Sequence, residues 1–268
     1  MTAPKQLTII LPSYNDARIV EAIQSVRRFD DIATVKLLVV DGGSKSEIQD
    51  LIRPLMRPGD VFVCERDRGI FDALNKGLER CDTAYIGWLG SDDRFSGQVT
   101  AADVVSALAH HDLFVAGTAH FRGDRVRRVT HALPSRFGLV PFGMNNPHFS
   151  TFGRAALLRS DRFDLAVMAA DIDYFIRIFA TKPRVATTSS IATLMAEGGF
   201  STQSYRVILR INRQLFAVYA KRLSAVFAPF ALLVKLGSKS LSVVYYKLFK
   251  LDCAALERPA AAASATPP

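Results

Sequence analysis

The chain has 268 residues but only three cysteines, Cys64, Cys81 and Cys253, whose spacing suits neither a disulfide framework nor a zinc site. A reducing compartment is therefore expected. No Gly-x-Gly-x-x-Gly follows either of the first two strand-like segments, which argues against a dinucleotide-binding dehydrogenase, and no phosphate loop ends in Gly-Lys-Ser/Thr. The opening Met1-Thr2-Ala3-Pro4-Lys5-Gln6 runs into a strand without the apolar core of a signal peptide, so a cytoplasmic location is expected. No apolar run reaches the ~20 residues that a spanning helix needs. The nearest, Leu223 to Leu236, is interrupted by Pro229. Acidic residues are scarce late in the chain: from Tyr205 onward, ten bases face only Asp252 and Glu257, which puts eight of the nine net positive charges there. A general nucleic-acid binder would not segregate its charge behind a nearly neutral body in this way.

What is present fits one large domain with an appendage, since 49% hydrophobic residues suffice for a full core. Leu7–Leu11, Val35–Val40, Val61–Cys64 and Thr83–Leu89 read as strands. Between them, Asp16 is placed to cap a helix running to about Phe29, a second helix reaches about Met56, and Ile70–Arg80 is a third. Strands alternating with helices through short glycine-bearing loops indicate a parallel sheet with right-handed crossovers. Beyond Asp93, the pattern predicts a helix at Val99–Ala109, a strand at Leu113–Phe121 and another reaching His131. It then predicts an irregular Pro134–Pro147 loop, helices at Gly153–Arg159 and Asp171–Thr181, and two strands within Val185–Met195.

The densest chemistry lies at Gly87-Trp88-Leu89-Gly90-Ser91-Asp92-Asp93, an apolar run that stops on two aspartates. In open α/β sheets ligands bind beyond the carboxyl ends of the strands, where Asp92 and Asp93 would sit. Adjacent like charges repel unless solvent or a cation neutralises them. A hard divalent ion that also grips phosphate oxygens suits that place, and the plainer alternative is an acidic turn. Pro12-Ser13-Tyr14-Asn15 and Asp41-Gly42-Gly43-Ser44 end strands on the same edge. Tyr14 offers a ring for stacking there, and Asp41 an acceptor to a base or ribose. In Glu65 to Gly77, Asp72, Asn75 and Lys76 share one helical face and bring a cation and carboxylates within reach of a diphosphate.

Ile10-Leu-Pro-Ser-Tyr-Asn15, Val39-Val-Asp-Gly-Gly-Ser44, Asp67-x-Gly-Ile-Phe-Asp-Ala-Leu-Asn-Lys-Gly77 and Gly87-Trp-Leu-Gly-Ser-Asp-Asp93 occur in order. Together they resemble the family 2 inverting glycosyltransferases of GT-A fold, especially bacterial enzymes of polysaccharide and lipid-linked saccharide synthesis. The resemblance covers roughly Leu7 to Ser201. It implies an α/β GT-A fold, a Rossmann-like and mostly parallel sheet flanked by helices, with a nucleotide-diphosphate-sugar donor and Mg2+ or Mn2+. The implied donor site comprises Pro12, Tyr14, Asn15, Asp41, Asp67, Asp72, Asn75, Lys76, Ser91 and His148, with Asp92 and Asp93 on the metal. Gly90 stands where the family carries the first carboxylate of its Asp-x-Asp motif. Asp171, at a helix start, matches the base that deprotonates the acceptor hydroxyl, and Asp173 is its reserve. His148 lies in Asn146-Pro-His-Phe-Ser-Thr-Phe152, which also matches. Glu197-Gly-Gly-Phe-Ser201 resembles a glycine-rich closure of the site.

The implied organisation is a catalytic domain over 1–203, a basic amphipathic helical region over 204–258 and a disordered tail over 259–268. In the helical region, Val207, Ile208, Ile211, Leu215, Phe216, Val218 and Tyr219 form an apolar stripe among arginines and lysines. That pattern suits an anionic membrane surface at the inner face of the cell membrane, with packing on protein as the alternative. The expected acceptor is a saccharide or a lipid-linked saccharide, and oligomerisation is left open. The competing readings are a sugar-nucleotide nucleotidyltransferase, which would need a glycine-rich, arginine-bearing loop after the first strand, and a degenerate nucleotide-binding scaffold.

Overall fold

The computed structural model describes residues 5–123, 125–132, 148–196, 205–222, 224–226, 228–233 and 253–256. Its sheet begins with β1 (Leu7–Ser13), buried along its whole length, which pairs in parallel with β2 (Val35–Asp41) on one side and β4 (Tyr85–Trp88) on the other. β3 (Val61–Cys64) adds in parallel to β2. These four strands run the same way, so the turns after Ser13, Asp41, Cys64 and Trp88 gather on one edge. Alternation along β1 serves both faces. Leu7, Ile9 and Leu11 enter one core with helices α1 (Ile19–Phe29) and α4 (Ala101–His110). Ile10 enters the opposite core with α3 (Ile70–Arg80) and, further on, α6 (Ala170–Ala180).

Glycine sets two close approaches in this half. A Cβ on Gly77 would lie 2.4 Å from Ile10 Cγ2, and one on Gly87 would lie 2.5 Å from the Phe152 ring. The first lets α3 sit directly on β1; the second lets the aromatic core press against β4.

Past β4 the sheet becomes mixed. β8 (Thr151–Arg154) pairs antiparallel with β4 and with β6 (Leu113–Arg122). β6 pairs in parallel with β9 (Val185–Ala196), and β9 holds the two-residue β5 (Arg94–Phe95) antiparallel. β7 (Arg125–Thr130) closes a hairpin on β6. Several boundaries differ from the sequence reading. Asp16 caps nothing: α1 starts at Ile19, and Asp16 accepts from the Arg18 backbone and guanidinium instead. The second helix, α2 (Ser46–Ile52), gives way to a 3-10 turn at Arg53–Leu55, where Pro54 cannot supply the next N–H. Val185–Ala196 is one strand, with register shifts against Gly117 rather than a break. Gly153 and Arg154 are strand, so only the short α5 (Ala155–Leu158) remains helical there.

The basic segment forms α7 (Tyr205–Arg222), which packs on α6 through Leu215, Val218 and Tyr219 against Ala169, Ile172 and Ile176. Residues 228–233 are helical, and Ala228 and Ala231 join the same cluster. The Pro134–Pro147 loop, Glu197–Ser201, much of the 204–258 helical region past residue 233 and the 259–268 tail lie outside the described residues. Among the described residues, no helix is long and apolar enough to cross a membrane.

Candidate active site

Two turns interlock at the strand ends. The Gly42 N–H donates to Ser13 O, the Asn15 N–H to Ser44 Oγ and the Lys45 N–H to Asn15 Oδ1. Asn15 is held at φ 50°, a left-handed conformation that asparagine tolerates better than most residues. Beside it, Tyr14 is 64% exposed, unusual for so large a ring and suited to stacking on a planar ligand. Asp41 is fully buried. Its carboxylate accepts from the Gly43 and Ser44 amides, the Ser44 hydroxyl and the Cys64 thiol, so it braces its own turn. Asp67 lies across that turn, with Oδ2 placed 2.5 Å from where a Cβ on Gly42 would be and Oδ1 accepting from Gly69 N–H. Only a glycine lets the two turns approach so closely. Pro12 is buried within β1.

The shared face predicted on α3 divides its tasks. Asp72 accepts from the Arg68 amide and guanidinium; the Arg68 hydrogen bond holds its carboxyl below the usual range against the pull of burial. Lys76 donates to Arg66 O at 2.6 Å and lies 3.4 Å from Glu65 and 3.8 Å from Asp72. Asn75 points elsewhere. Its amide nitrogen donates to Phe163 O and its oxygen accepts from Phe163 N–H, both at 2.9 Å, stitching α3 to the segment before α6.

After β4, Ser91 donates to Asp16 Oδ2 at 3.0 Å. Asp92 keeps a quarter of its side chain exposed, and its cationic neighbour is Arg18, 3.6 Å away. Burial raises the pKa of its carboxyl despite Arg18. Asp93 turns inward and accepts from Ala196 N–H at 3.0 Å; burial, with the adjacent Asp92 charge, pushes it up to about 8. A Cβ on Gly90 would lie 2.6 Å from Asp93 Oδ2, so the Asp93 carboxyl fills the space that a side chain at 90 would need. A cavity of about 380 Å3 borders both aspartates, lined also by Arg18, Arg94, Phe121 and Arg122. Among the described residues no three His, Cys, Asp or Glu side chains gather as a metal cluster. A partly exposed carboxylate at a strand end nevertheless fits a divalent ion whose remaining ligands come from a diphosphate and water.

A second carboxylate is tied to the same strand. Trp88, the last residue of β4, donates its indole N–H to His148 O at 2.7 Å. His148 Nδ1 lies 3.2 Å from Asp171 Oδ2 in the first turn of α6. Asp173, two residues on, is 2% exposed and bound by Arg177 at 3.0 Å and Arg222 at 2.8 Å. Burial opposes its charge, but the Arg222 hydrogen bond and the two guanidinium charges outweigh it and hold the carboxyl below the ordinary range. Tyr14, Asp67, Asp92, His148 and Asp171 thus keep exposed side-chain surface, while Asp41, Asn75, Asp93 and Asp173 spend their polar atoms on the protein. Arg18 and Arg222 were not among the site residues read from the sequence. Asp16-x-Arg18 carried a local signal for the first; the partner of Arg222 lies 49 residues away and left none.

Residues 8–166 match the family model described as Glycosyl transferase family 2. The chain belongs to that family. An uncharacterized glycosyltransferase of Mycobacterium tuberculosis is 28% identical over 194 residues, covering 66% of this chain and 70% of the relative. A PGL/p-HBAD biosynthesis glycosyltransferase of the same species is 31% identical over 117 residues, 42% of this chain and 44% of the relative. Among solved structures, the mannosyltransferase PcManGT from Pyrobaculum calidifontis, in complex with GDP-Man and Mn2+, superposes with a TM-score of 0.60 at 18% identity. That match covers 91% of this chain and 76% of PcManGT. TarS of S. aureus in complex with UDP gives 0.57 at 16% identity, covering 81% and 70%. The glycosyltransferase has the GT-A fold that these neighbours share.

Proposed function

We propose that this family 2 glycosyltransferase moves one hexose from a nucleotide-diphosphate-sugar to an acceptor hydroxyl with inversion, using Asp171 as base. The observation that carries the reading is the convergence on β4. Its carboxyl end leads directly to Asp92 and, through Trp88 and His148, to Asp171, so one strand carries a phosphate-side and an acceptor-side carboxylate. Tyr14 stacks the base, and Asp67 serves as the open carboxylate acceptor beside it. Pro12 and Asn15 shape the first turn, Asp41 braces the second, and Asp72, Asn75 and Ser91 hold the walls. Lys76, bound to Arg66 O and paired with Glu65 and Asp72, is the α3 cation assigned to the diphosphate. Asp92 would hold the Mg2+ or Mn2+, with Asp93 as its buried support; the ion supplies charge to stabilise the leaving diphosphate. Solved neighbours in complex with UDP, or with GDP-Man and Mn2+, support a nucleotide-sugar donor and a divalent ion.

The catalytic unit spans 1–203. The 204–258 region presents Leu209, Phe216, Val226, Phe230 and Leu233 to solvent beside the exposed Arg210, Arg213 and Lys221. Apolar side chains among cations suit an anionic bilayer at the cytoplasmic face, where a lipid-linked saccharide acceptor would be presented; each base there is worth ~1 kcal/mol. Incubation with a panel of UDP- and GDP-sugars, with and without Mn2+, tests the transfer. Nucleoside diphosphate release and an inverted product anomer by NMR are expected. Pyrophosphate release would point to a nucleotidyltransferase, and binding without turnover to a scaffold. Co-sedimentation with anionic and neutral vesicles, comparing wild type with a Phe230→Ser/Leu233→Ser variant, tests the surface: equal, negligible pelleting would refute it.

A further inference from the structure

Resting on the assignment of Asp171 as base, we infer that His148 is its positioning residue and that protonation of this imidazole sets the acidic limb of the reaction. Among the described residues, His148 is the group that holds the Asp171 carboxylate, at 3.2 Å through Nδ1, and both side chains are about a quarter exposed. The imidazole is carried on a fixed turn. Its carbonyl is bound by Trp88, and its ring rests 4.2 Å from the Phe149 ring. Two residues on, the buried Ser150 hydroxyl meets Thr118 Oγ1 at 2.6 Å, Gly117 O at 2.9 Å and Thr193 Oγ1 at 2.8 Å. These hydroxyls anchor the turn to β6 and β9, so the ring cannot slide along the sheet. From α7, the Tyr219 hydroxyl is buried without a hydrogen-bond partner among the described residues. Burial first, and then the Asp171 charge, keeps that phenol protonated. Asp173 absorbs Arg177 and Arg222, which leaves His148 as the titratable partner of Asp171.

The chemistry follows from which atom carries the proton. A neutral imidazole donating Nδ1–H to Oδ2 fixes the carboxylate and leaves Oδ1 to the acceptor. The acceptor O–H bond then breaks as Oδ1–H forms. The freed electron pair joins the anomeric carbon while its bond to the diphosphate oxygen breaks. An imidazolium at the same place would grip the carboxylate as an ion pair and weaken it as a base. Activity should therefore fall with pH in the histidine range rather than the carboxylate range.

Two measurements on the full chain test this. In spectra of the histidine Cε1–H groups, five histidines are present, and the His148 signal is assigned by its loss in His148→Gln. His148 should titrate above the ordinary histidine range, and Asp171→Asn should remove that rise. With whichever nucleotide-sugar the panel shows to be turned over, the acidic limb of kcat/KM should follow the His148 titration. His148→Gln keeps a donor without a titrating charge, so it should retain activity within ~10-fold while its acidic limb drops into the carboxylate range; His148→Ala should lose ~10²-fold. A His148 titration unmoved by Asp171→Asn, or an unshifted acidic limb in His148→Gln, overturns the inference. So does His148→Gln as inactive as Asp171→Asn, since the imidazole would then be the base. Near-normal turnover in Asp171→Asn would instead sink the base assignment, and the spectra would still decide the pairing.

Discussion

Two pairs of aspartates flank the site, and each has one accessible and one buried member. At the end of β4, Asp92 keeps an open face and Asp93 turns inward; at the start of α6, Asp171 meets His148 and Asp173 is enclosed. The buried members end in opposite states. Asp93 has backbone donors, Ala196 foremost, but no guanidinium on its side chain among the described residues and a like charge beside it, and its neutral form is favoured. Asp173 has two guanidiniums, and its charged form is favoured. Burial alone does not decide the charge of a carboxyl group; the partners buried with it do.

The largest expected effect separates the accessible members from their neighbours. Asp171→Asn should lower kcat by ~10²–10⁴-fold with donor affinity nearly unchanged, because only the acceptor proton loses its destination. Steady-state kinetics together with donor calorimetry check it, and an equal loss of donor affinity would contradict the division between the two carboxylate pairs. Asp92→Asn should act the other way, removing the gain in donor affinity that Mn2+ confers while the thermal midpoint holds. Metal-dependent affinity that survives the substitution would move the ion elsewhere.

Between the buried members the contrast is one of stability. Asp173→Asn leaves Arg177 and Arg222 facing each other over a neutral amide and should cost ~3 kcal/mol in chemical denaturation. Asp93→Asn substitutes one neutral group for another and should cost less than ~1 kcal/mol. Equal losses would erase the comparison. The smallest effect concerns acid. Because the folded pKa of Asp173 is depressed, its contribution is present above the ordinary aspartate value of about 3.9 and is lost as pH falls through the lower folded value. Wild-type stability should therefore drop below about pH 4 more steeply than that of Asp173→Asn. Parallel curves would show that the two arginines contribute nothing there.

The parallel half of the fold was legible because buried strands such as Leu7–Leu11 and Val35–Val40 write themselves as apolar runs ended by turn residues. The mixed half was not. β5 has two residues and β8 four, so neither holds a pattern, and their strand character comes from β9, β4 and β6. The strand ends and Asp92 were likewise readable from local sequence. The resemblance put Asp171 first and Asp173 in reserve, but local sequence does not separate two aspartates in the first turn of one helix; Arg222, supplied by α7, occupies Asp173. The amphipathic stripe of α7 was visible, yet its pattern does not say whether protein or lipid covers it; Leu215, Val218 and Tyr219 are covered by α6.

The close approach of Gly90 to Asp93 has an evolutionary meaning. A single step from glycine to aspartate at 90 collides with the Asp93 carboxyl, which would have to leave the Ala196 N–H to make room. A single step from Asp93 to a small residue vacates that room while position 90 still has nothing to place in it. The two changes together would place a carboxylate two residues before Asp92 without that collision. Positions 90 and 93 are therefore coupled, and the effect of a substitution at one depends on the residue that stands at the other.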